Sequence, residues 1–353
     1  MYKKLMKKCI KLAQKAQGKT SPNPMVGAII VDDNLKIISS GYHQKAGEPH
    51  AEVMAIRDAE LKGVDIKGKT LIVNLEPCSH FGKTPPCADL IVKKGIKRLI
   101  IGMQDPNPIV KGRGIEKCKN AGIEVIVGVL EKECVELNEV FIKNQIQKKP
   151  FVVSKIATTI DGKIATQTGS SKWITGAESR KQVQKIRGAY DAILTGIDTV
   201  LADNPSLDCI YKNMTKVILD THLRMPFDAK IFNSGRIFLA TCEKDKKKYP
   251  SNVKIIECPD KNGMVNIEFL LKELYKLGIC SVLVEAGSGV NSSFLRYGFL
   301  DKIYHFMAPK ILGDNEARSC FSGFDIEAIS QCEQFVLEKV KKIGCDVMMT
   351  YKK

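Results

Sequence analysis

The sequence predicts an α/β protein of two domains, and three observations lead there. The chain has 353 residues, more than one hydrophobic core usually serves. Its hydrophobic fraction of 44% carries no long low-complexity run, so both halves have the material for a packed interior. Along each half, strand-like and helix-like segments alternate, the pattern of sheets covered by helices. The polar, helix-breaking stretch Gln147-Lys148-Lys149-Pro150 interrupts this alternation and sets a boundary between residues 146 and 150, giving domains 1–146 and 150–353.

In the first half, Lys3, Lys4, Lys7, Lys8, Lys11 and Lys15 interleave with Leu5, Met6, Cys9, Ile10, Ala13 and Ala16 at helical spacing. This reads as an amphipathic helix, not an export signal, because no apolar block follows the charges. Val26 to Val31 and Lys36 to Ser40 pair as strands about Asp32-Asp33-Asn34. His50 to Leu61 has helical spacing, Thr70 to Leu75 is a buried strand, and Cys87 to Lys94 is helical. Strands at Arg98 to Gly102 and Glu124 to Gly128 flank a helix at Arg113 to Ala121, and one closing helix spans Glu131 to Gln147. The second half places strands near Phe151 to Ala157, Ala192 to Gly196, Val217 to Asp220, Arg236 to Thr241, Ser281 to Glu285 and Lys302 to Ala308. Helices are expected at Glu178 to Arg187, Ile267 to Leu277 and Gly289 to Tyr297. The halves do not repeat each other, so different tasks are expected of them.

The net charge of +16 suits a nucleic-acid binder or an enzyme of phosphorylated metabolites. Most of it is lysine scattered over many segments, without an Arg-rich or aromatic-interleaved block, which reads as a solvated surface and not as a nucleic-acid face. No apolar segment approaches the roughly 18 residues that cross a bilayer. The twelve cysteines form no framework, and with no export signal the expected compartment is the reducing cytoplasm.

Chemistry concentrates at His50-Ala51-Glu52, Glu76-Pro77-Cys78 and Pro85-Pro86-Cys87. His50, Cys78 and Cys87 can supply three ligands to a tetrahedral Zn²⁺ and leave the fourth position for water; a closed structural site would show four. The two thiolates are the anions that helix N-termini favour. Glu52 shares a turn with His50 but points elsewhere, so it is the candidate proton shuttle of a hydrolytic deamination.

These residues, with Glu76-Pro77-Cys78-Ser79-His80-Phe81-Gly82-Lys83-Thr84-Pro85-Pro86-Cys87-Ala88, resemble the zinc motif of the bifunctional riboflavin-biosynthesis deaminase-reductases. Eight residues separate the cysteines, as in that family, where the general zinc-deaminase signature has two. The resemblance continues through Ser21-Pro22-Asn23-Pro24-Met25-Val26-Gly27 and Asp105-Pro106-Asn107-Pro108. It implies a cytidine-deaminase-like three-layer α/β/α domain, with Asn23, His80 and Lys83 as substrate contacts; from sequence alone, Asn-Pro and Asp-Pro are equally turn formers.

The second half resembles the family's reductase domain over nearly its whole length, which implies a dihydrofolate-reductase-like α/β fold and NADPH as cofactor. The matching segments include 155–165, 171–175, 187–194, 196–205 and 284–289. Carried across, Ala157, Trp173, Thr199, Asp203, Gly287, Ser288, Gly289, Val290, Asn291, Ser292 and Ser293 line the cofactor. Ser171, Arg187, Leu207 and Glu285 meet the substrate, and Lys155 and Glu285 handle its protons or hydroxyls. Glycines opening a helix after a strand let a backbone approach a pyrophosphate, although such a loop alone is more often a helix cap. One departure stands out: where the family commonly has an Arg three residues after Leu207, this chain has Ile210, with Lys212 a possible substitute.

The resemblance thus implies two steps. One zinc per chain serves the deamination of a diamino-ribosylamino-pyrimidinone 5′-phosphate, a small pyrimidine ribotide, and NADPH then reduces the ribosyl group to ribityl. It also implies a homo-oligomer, dimer or tetramer. Two other classes compete: a nucleic-acid deaminase, which leaves the second half unexplained, and a deaminase fused to a domain that binds nucleotide without reducing anything, which the Ile210 departure favours slightly.

Overall fold

The computed structural model describes residues 1–79, 85–107, 111–244 and 248–353. It separates into two compact units, Met1–Lys148 and Lys149–Lys353. At the division, helix α6 ends at Gln147 and Lys148 takes a left-handed conformation (φ 53°), so the helix cannot continue into Pro150.

The first unit runs α1 (Tyr2–Gln14), β1 (Gly27–Val31), β2 (Ile37–Tyr42), α2 (Ala51–Leu61), β3 (Thr70–Leu75), α3 (Cys87–Lys93), β4 (Arg98–Met103), α4 (Arg113–Asn120), β5 (Glu124–Val127), α5 (Glu131–Leu137) and α6 (Glu139–Gln147). Its sheet has the order β2-β1-β3-β4-β5, with β1 antiparallel to both neighbours and β3, β4 and β5 parallel. Side-chain alternation along β1 assigns the layers. A Cβ on Gly27 would sit 2.2 Å from the Cys9 carbonyl of α1, whereas one on Gly41, which pairs with Ala28, would sit 2.4 Å from the Ala55 nitrogen of α2. Adjacent β1 residues therefore face α1 and α2 on opposite sides, which is the expected three-layer α/β/α arrangement. β1, β3 and most of β4 are buried, as strands covered on both faces must be.

The closing helix expected over Glu131 to Gln147 is two helices. Asn138 departs from helical geometry (φ −110°, ψ 20°) and joins α5 to α6. Its side chain is committed to the backbone of Met25.

The second unit continues with β6 (Phe151–Thr158), β7 (Lys163–Ala165), α7 (Ala177–Ala189), β8 (Ala192–Gly196), α8 (Ile197–Asp203), β9 (Thr215–Leu219), β10 (Ile237–Thr241), β11 (Val253–Glu257), α9 (Ile267–Lys276), β12 (Ser281–Val284), α10 (Ser288–Arg296), β13 (Lys302–Met307), β14 (Arg318–Ser319), β15 (Val336–Ile343) and β16 (Asp346–Lys352). Nine strands form one sheet in the order β11-β10-β9-β8-β12-β6-β13-β16-β15; the seven from β11 to β13 are parallel, and β16 and β15 close the edge antiparallel. β7 and β14 form a separate ribbon. The sequence reading missed the terminal hairpin of β15 and β16. Val336-Leu337-Glu338-Lys339-Val340-Lys341-Lys342-Ile343 lacks clean alternation because every residue of β15 except Ile343 is exposed, leaving no buried face to impose a period of two. Among the described residues no helix is long and apolar enough to cross a membrane.

This strand order gathers distant parts of the chain. β8, β12 and β6 are neighbours although far apart in sequence, so the residues at their carboxyl ends, near 196–203, 285–289 and 155–157, share one edge of the sheet. In open α/β sheets that edge is where ligands bind.

Candidate active sites

In the first unit, three chain segments deliver ligand atoms to one point. His50 is the N-cap of α2, Cys78 follows β3, and Cys87 is the first residue of α3. Their donor atoms lie within 4.8 Å of one another, with Cys87 Sγ 3.3 Å and Cys78 Sγ 3.6 Å from His50 Nδ1. Tetrahedral zinc, with Zn–S near 2.3 Å and Zn–N near 2.05 Å, needs a ligand separation of about 3.6 Å. The three residues therefore fit a zinc ion.

Without a cation the two sulfurs share one charge. The Cys87 thiol, and then the His50 ring, hold the Cys78 thiol well below its ordinary range against the cost of burial. Cys87, beside that charge and itself buried, is held up as a thiol. A dication among them removes the conflict and ionises both.

Glu52, on the first turn of α2, is 4% exposed and lies outside the ligand cluster. Burial, reinforced by the negative Cys78, pushes its carboxyl up to about 7. A carboxyl in that range can both take and return a proton near neutrality. A cavity of about 240 Å³ opens in front of these groups, lined among others by Asn23, His43, Glu52, Asp105, Asn107 and Gln145.

Asn23 reaches that cavity in a fixed orientation. His43 Nδ1 is 3.1 Å from the Pro49 carbonyl, which can only accept, so Nδ1 carries the hydrogen. Burial lowers the pKa of His43, so the ring is neutral and Nε2 accepts from Asn23 Nδ2 at 3.1 Å. Asn23 Oδ1 is thereby the atom offered to a ligand, and it suits an N–H donor. The Cys78 segment is braced in turn by Glu76, whose buried carboxylate accepts the backbone N–H groups of Asp105, Gly112, Gly114 and Ile115 at 3.0–3.3 Å. His80 and Lys83, expected as substrate contacts, lie outside the described residues.

In the second unit, register places Glu285 beside Lys155, because Val284 of β12 pairs with Ser154 of β6. Lys155 Nζ is 3.0 Å from Glu285 Oε2, and Arg187 closes a two-point pair on the same carboxylate, Nε to Oε1 at 2.7 Å and Nη2 to Oε2 at 3.1 Å. Burial alone would raise the Glu285 carboxyl, but Lys155 and Arg187 outweigh it and hold it down to about 2. It is a fixed anion at neutral pH and has no proton of its own to give there.

That ion cluster has a consequence for stability. A carboxyl with a depressed folded pKa stabilises above its usual value of 4.5 and loses that contribution as the pH falls toward 2. Glu285→Gln is expected to lower neutral-pH stability by about 3 kcal/mol, since it leaves two cations poorly compensated. Melting temperatures from pH 7 to 3 should fall less steeply for the variant than for the parent.

Arg187 also donates to the Asp208 carbonyl at 2.7 Å, tying the Leu207 segment to Glu285; Asp208 is anchored by the fully buried Lys216 at 2.9 Å. The Leu207 side chain is buried in an apolar cluster, so only its backbone, at φ 52°, is presented. Ile210 is 76% exposed and offers no charge there, while Lys212 is half-buried and has its pKa lowered by burial, with Asp191 the foremost acidic influence on it.

The cofactor candidates collect around two helix starts. Gly196 and Gly287 are the N-caps of α8 and α10 without a capping side chain, which leaves the first-turn N–H groups of α10 open to an anion. A Cβ on Gly196 would stand 2.8 Å from Val290 Cγ2, so these helix starts lie side by side. Asp203 pairs with Lys172 at 3.2 Å, bringing α8 to the 171–173 segment, where Trp173 is 63% exposed with Arg180 4.5 Å over its ring. Ala157 and Lys155 are the less buried positions that alternate along the end of β6. Asn291 and Ser292 point inward: Asn291 bonds Ser154 and the Ala286 carbonyl, and Ser292 accepts from Ser322 N. Ser293 turns back on the Gly289 carbonyl. The open part of this stretch is thus the backbone of Gly287, Ser288 and Gly289.

Comparison with known proteins bears on both sites. Residues 1–103 match the cytidine and deoxycytidylate deaminase zinc-binding region, and residues 150–349 match the RibD C-terminal domain. Riboflavin biosynthesis protein RibD of Aquifex aeolicus is 42% identical over 99% of this chain and 98% of its own, and that of Actinobacillus pleuropneumoniae 40% identical over 98% and 94%. The chain belongs to the RibD family.

A solved structure from Thermotoga maritima, a diaminohydroxyphosphoribosylaminopyrimidine deaminase/5-amino-6-(5-phosphoribosylamino)uracil reductase, superposes with a TM-score of 0.91 at 42% identity, covering 99% of this chain and 98% of that one. RibD of Acinetobacter baumannii gives 0.86 at 36% identity. As a RibD-family protein the chain is a bifunctional enzyme of riboflavin biosynthesis, a zinc-region deaminase joined to a reductase. Sequence reading named Glu76 only as part of the cysteine motif, without its bracing role, and did not find His43 or Asn138 as parts of the RibD deaminase site. A motif search sees ligands, whereas these residues act through contacts of 20 to 113 positions' separation, which only the fold closes.

Proposed function

We propose that the first site deaminates a diamino-ribosylamino-pyrimidinone 5′-phosphate and that the second reduces the ribosyl group of the product with NADPH. The observation that supports this most is the pairing of a three-ligand zinc site having an open position with a second, separate ion cluster at the carboxyl edge of a parallel sheet, in a chain matching RibD relatives end to end. When bound by His50, Cys78 and Cys87, zinc supplies Lewis-acid activation of a water near neutral pH. Glu52 takes the water's proton as its oxygen bonds to C2 of the ring, then delivers a proton to the amino group, which leaves as ammonia. Asn23 Oδ1 accepts from a ring or amino N–H and orients C2. Asn23→Leu is expected to raise KM for ammonia release about tenfold through the loss of that hydrogen bond.

In the second site the open first turn of α10 would hold the cofactor's phosphates, with Trp173 and Ala157 as further holding residues, and NADPH when bound would supply the hydride that reduces C1′ of the opened sugar. Lys155 protonates the substrate atom that gains charge, while Glu285 holds Lys155 and Arg187 in place. Arg187 and Ser171 bind the ribotide. Exposed Val336, Leu337 and Val340 on the edge strand β15 support a homo-oligomer, dimer or tetramer, which sedimentation would reveal. All twelve cysteines are free, which suits the reducing cytoplasm. Metal analysis tests the first half of the reading. One zinc per chain is expected in the parent; Cys87→Ala should lose both zinc and ammonia release while still oxidising NADPH with the deaminated intermediate. Full ammonia release without zinc would overturn it.

A further inference from the structure

The region shared with the cytidine and deoxycytidylate deaminases ends at residue 103, but the cavity before the zinc ligands does not. One of its walls is α6, which contributes Phe141 and Gln145, four residues apart on one helical face. The break at Asn138 is what points them there. Phe141 lies seven residues after Cys134, whose sulfur packs on β4, where a Cβ on Gly102 would meet it at 2.4 Å. In one unbroken helix Phe141 would continue the face that packs on the sheet.

Asn138 also ties this wall to the Asn23 turn, another part of the cavity lining. Its buried amide pairs with both backbone groups of Met25, accepting from the nitrogen at 2.8 Å and donating to the carbonyl at 3.1 Å. Asn74 grips the same turn, donating to the Met25 carbonyl at 3.0 Å and accepting from Gly27 N at 2.7 Å. Met25 is two residues from Asn23, and Pro24 and Val26 line the cavity, so the positions of Asn23 and α6 are coupled.

We propose that α6 is the specificity wall of the deaminase cavity, with Phe141 and Gln145 touching the pyrimidine and Asn138 as the positioning residue that registers this wall against the Asn23 turn. The inference rests on the deaminase reading of the first site. Among the described lining residues Phe141 is the one carbocyclic aromatic, and Gln145 is a neutral carboxamide carrying a donor beside an acceptor. Together they suit a ring that bears an amino group next to a carbonyl, a feature absent from a cytidine nucleotide.

The test uses the full-length, zinc-loaded chain with the diamino-ribosylamino-pyrimidinone phosphate, reading ammonia release, zinc content as the control for folding of the first unit, and NADPH oxidation on the deaminated intermediate as the control for the second. Gln145→Ala and Phe141→Leu should each raise KM about tenfold and leave kcat within about threefold, at one zinc per chain. Asn138→Ala should raise KM likewise, and its combination with Gln145→Ala should do less than the product of the two, because a displaced wall has little left to lose. Should Asn138→Ala fail to fold, the two lining variants decide the matter. Parental KM in both overturns the proposal, as does a strictly multiplicative Asn138/Gln145 double variant. Absence of ammonia release in the parent would instead overturn the deaminase reading itself.

Discussion

Glu52→Gln is expected to lower ammonia release by about a thousandfold, with zinc retained and NADPH-dependent reduction of the deaminated intermediate intact. Burial is the reason the effect should be so large and so confined. Glu52 is 4% exposed and lies outside the three-ligand cluster. With so little solvent at that position, no other base replaces it, and glutamine keeps the shape while removing the proton acceptor. Ammonia release at the parental rate with zinc bound would show that another group moves the proton. Loss of zinc in the variant would show instead that Glu52 helps hold the metal.

The second large effect belongs to the other site. Lys155→Met should reduce hydride transfer by about a hundredfold while leaving deamination untouched. Glu285, held as an anion by two cations, has no proton to donate at neutral pH, and Lys155, 3.0 Å from it, is the residue proposed for the acid role. The methionine fills the volume, and Glu285 keeps its two-point pairing with Arg187, which guards the fold against a bare buried charge. A KM change for NADPH with unchanged kcat would mean that Lys155 binds without taking part in proton transfer. Single-turnover measurements of NADPH absorbance separate the two outcomes.

How much of the molecule is legible in its chain depends on the range of the interactions involved. His50, Cys78, Cys87 and Glu52 are legible because each sits at a helix start or strand end within a short motif, and zinc chemistry dictates their types. Most parallel strands are legible because strands buried on both faces are nearly continuous apolar runs, as Ala192–Gly196 and Ser281–Val284 are but for Thr195 and Ser281. Strand order is not legible, and it brings Lys155 and Glu285 together, with Arg187 joining them from α7. The single helix expected over residues 131–147 fails because helical periodicity persists through Asn138; what breaks it is a tertiary commitment of that amide to Met25, 113 residues away. The α10 start shows the converse: Gly287 to Ser293 looks like one uniform cofactor loop, yet Asn291 and Ser292 serve the interior.

Two sites in one chain make a joint demand that neither makes alone. Incubating the zinc-loaded protein with the diamino-ribosylamino-pyrimidinone phosphate and following products by mass meets it directly. Without NADPH, the expected product has one amino group replaced by oxygen, with ammonia released in equal amount; with NADPH, the same species gains two hydrogens on the sugar chain. A protein that releases ammonia but never oxidises NADPH, or that reduces the substrate with the amino group still in place, would contradict the two-step assignment.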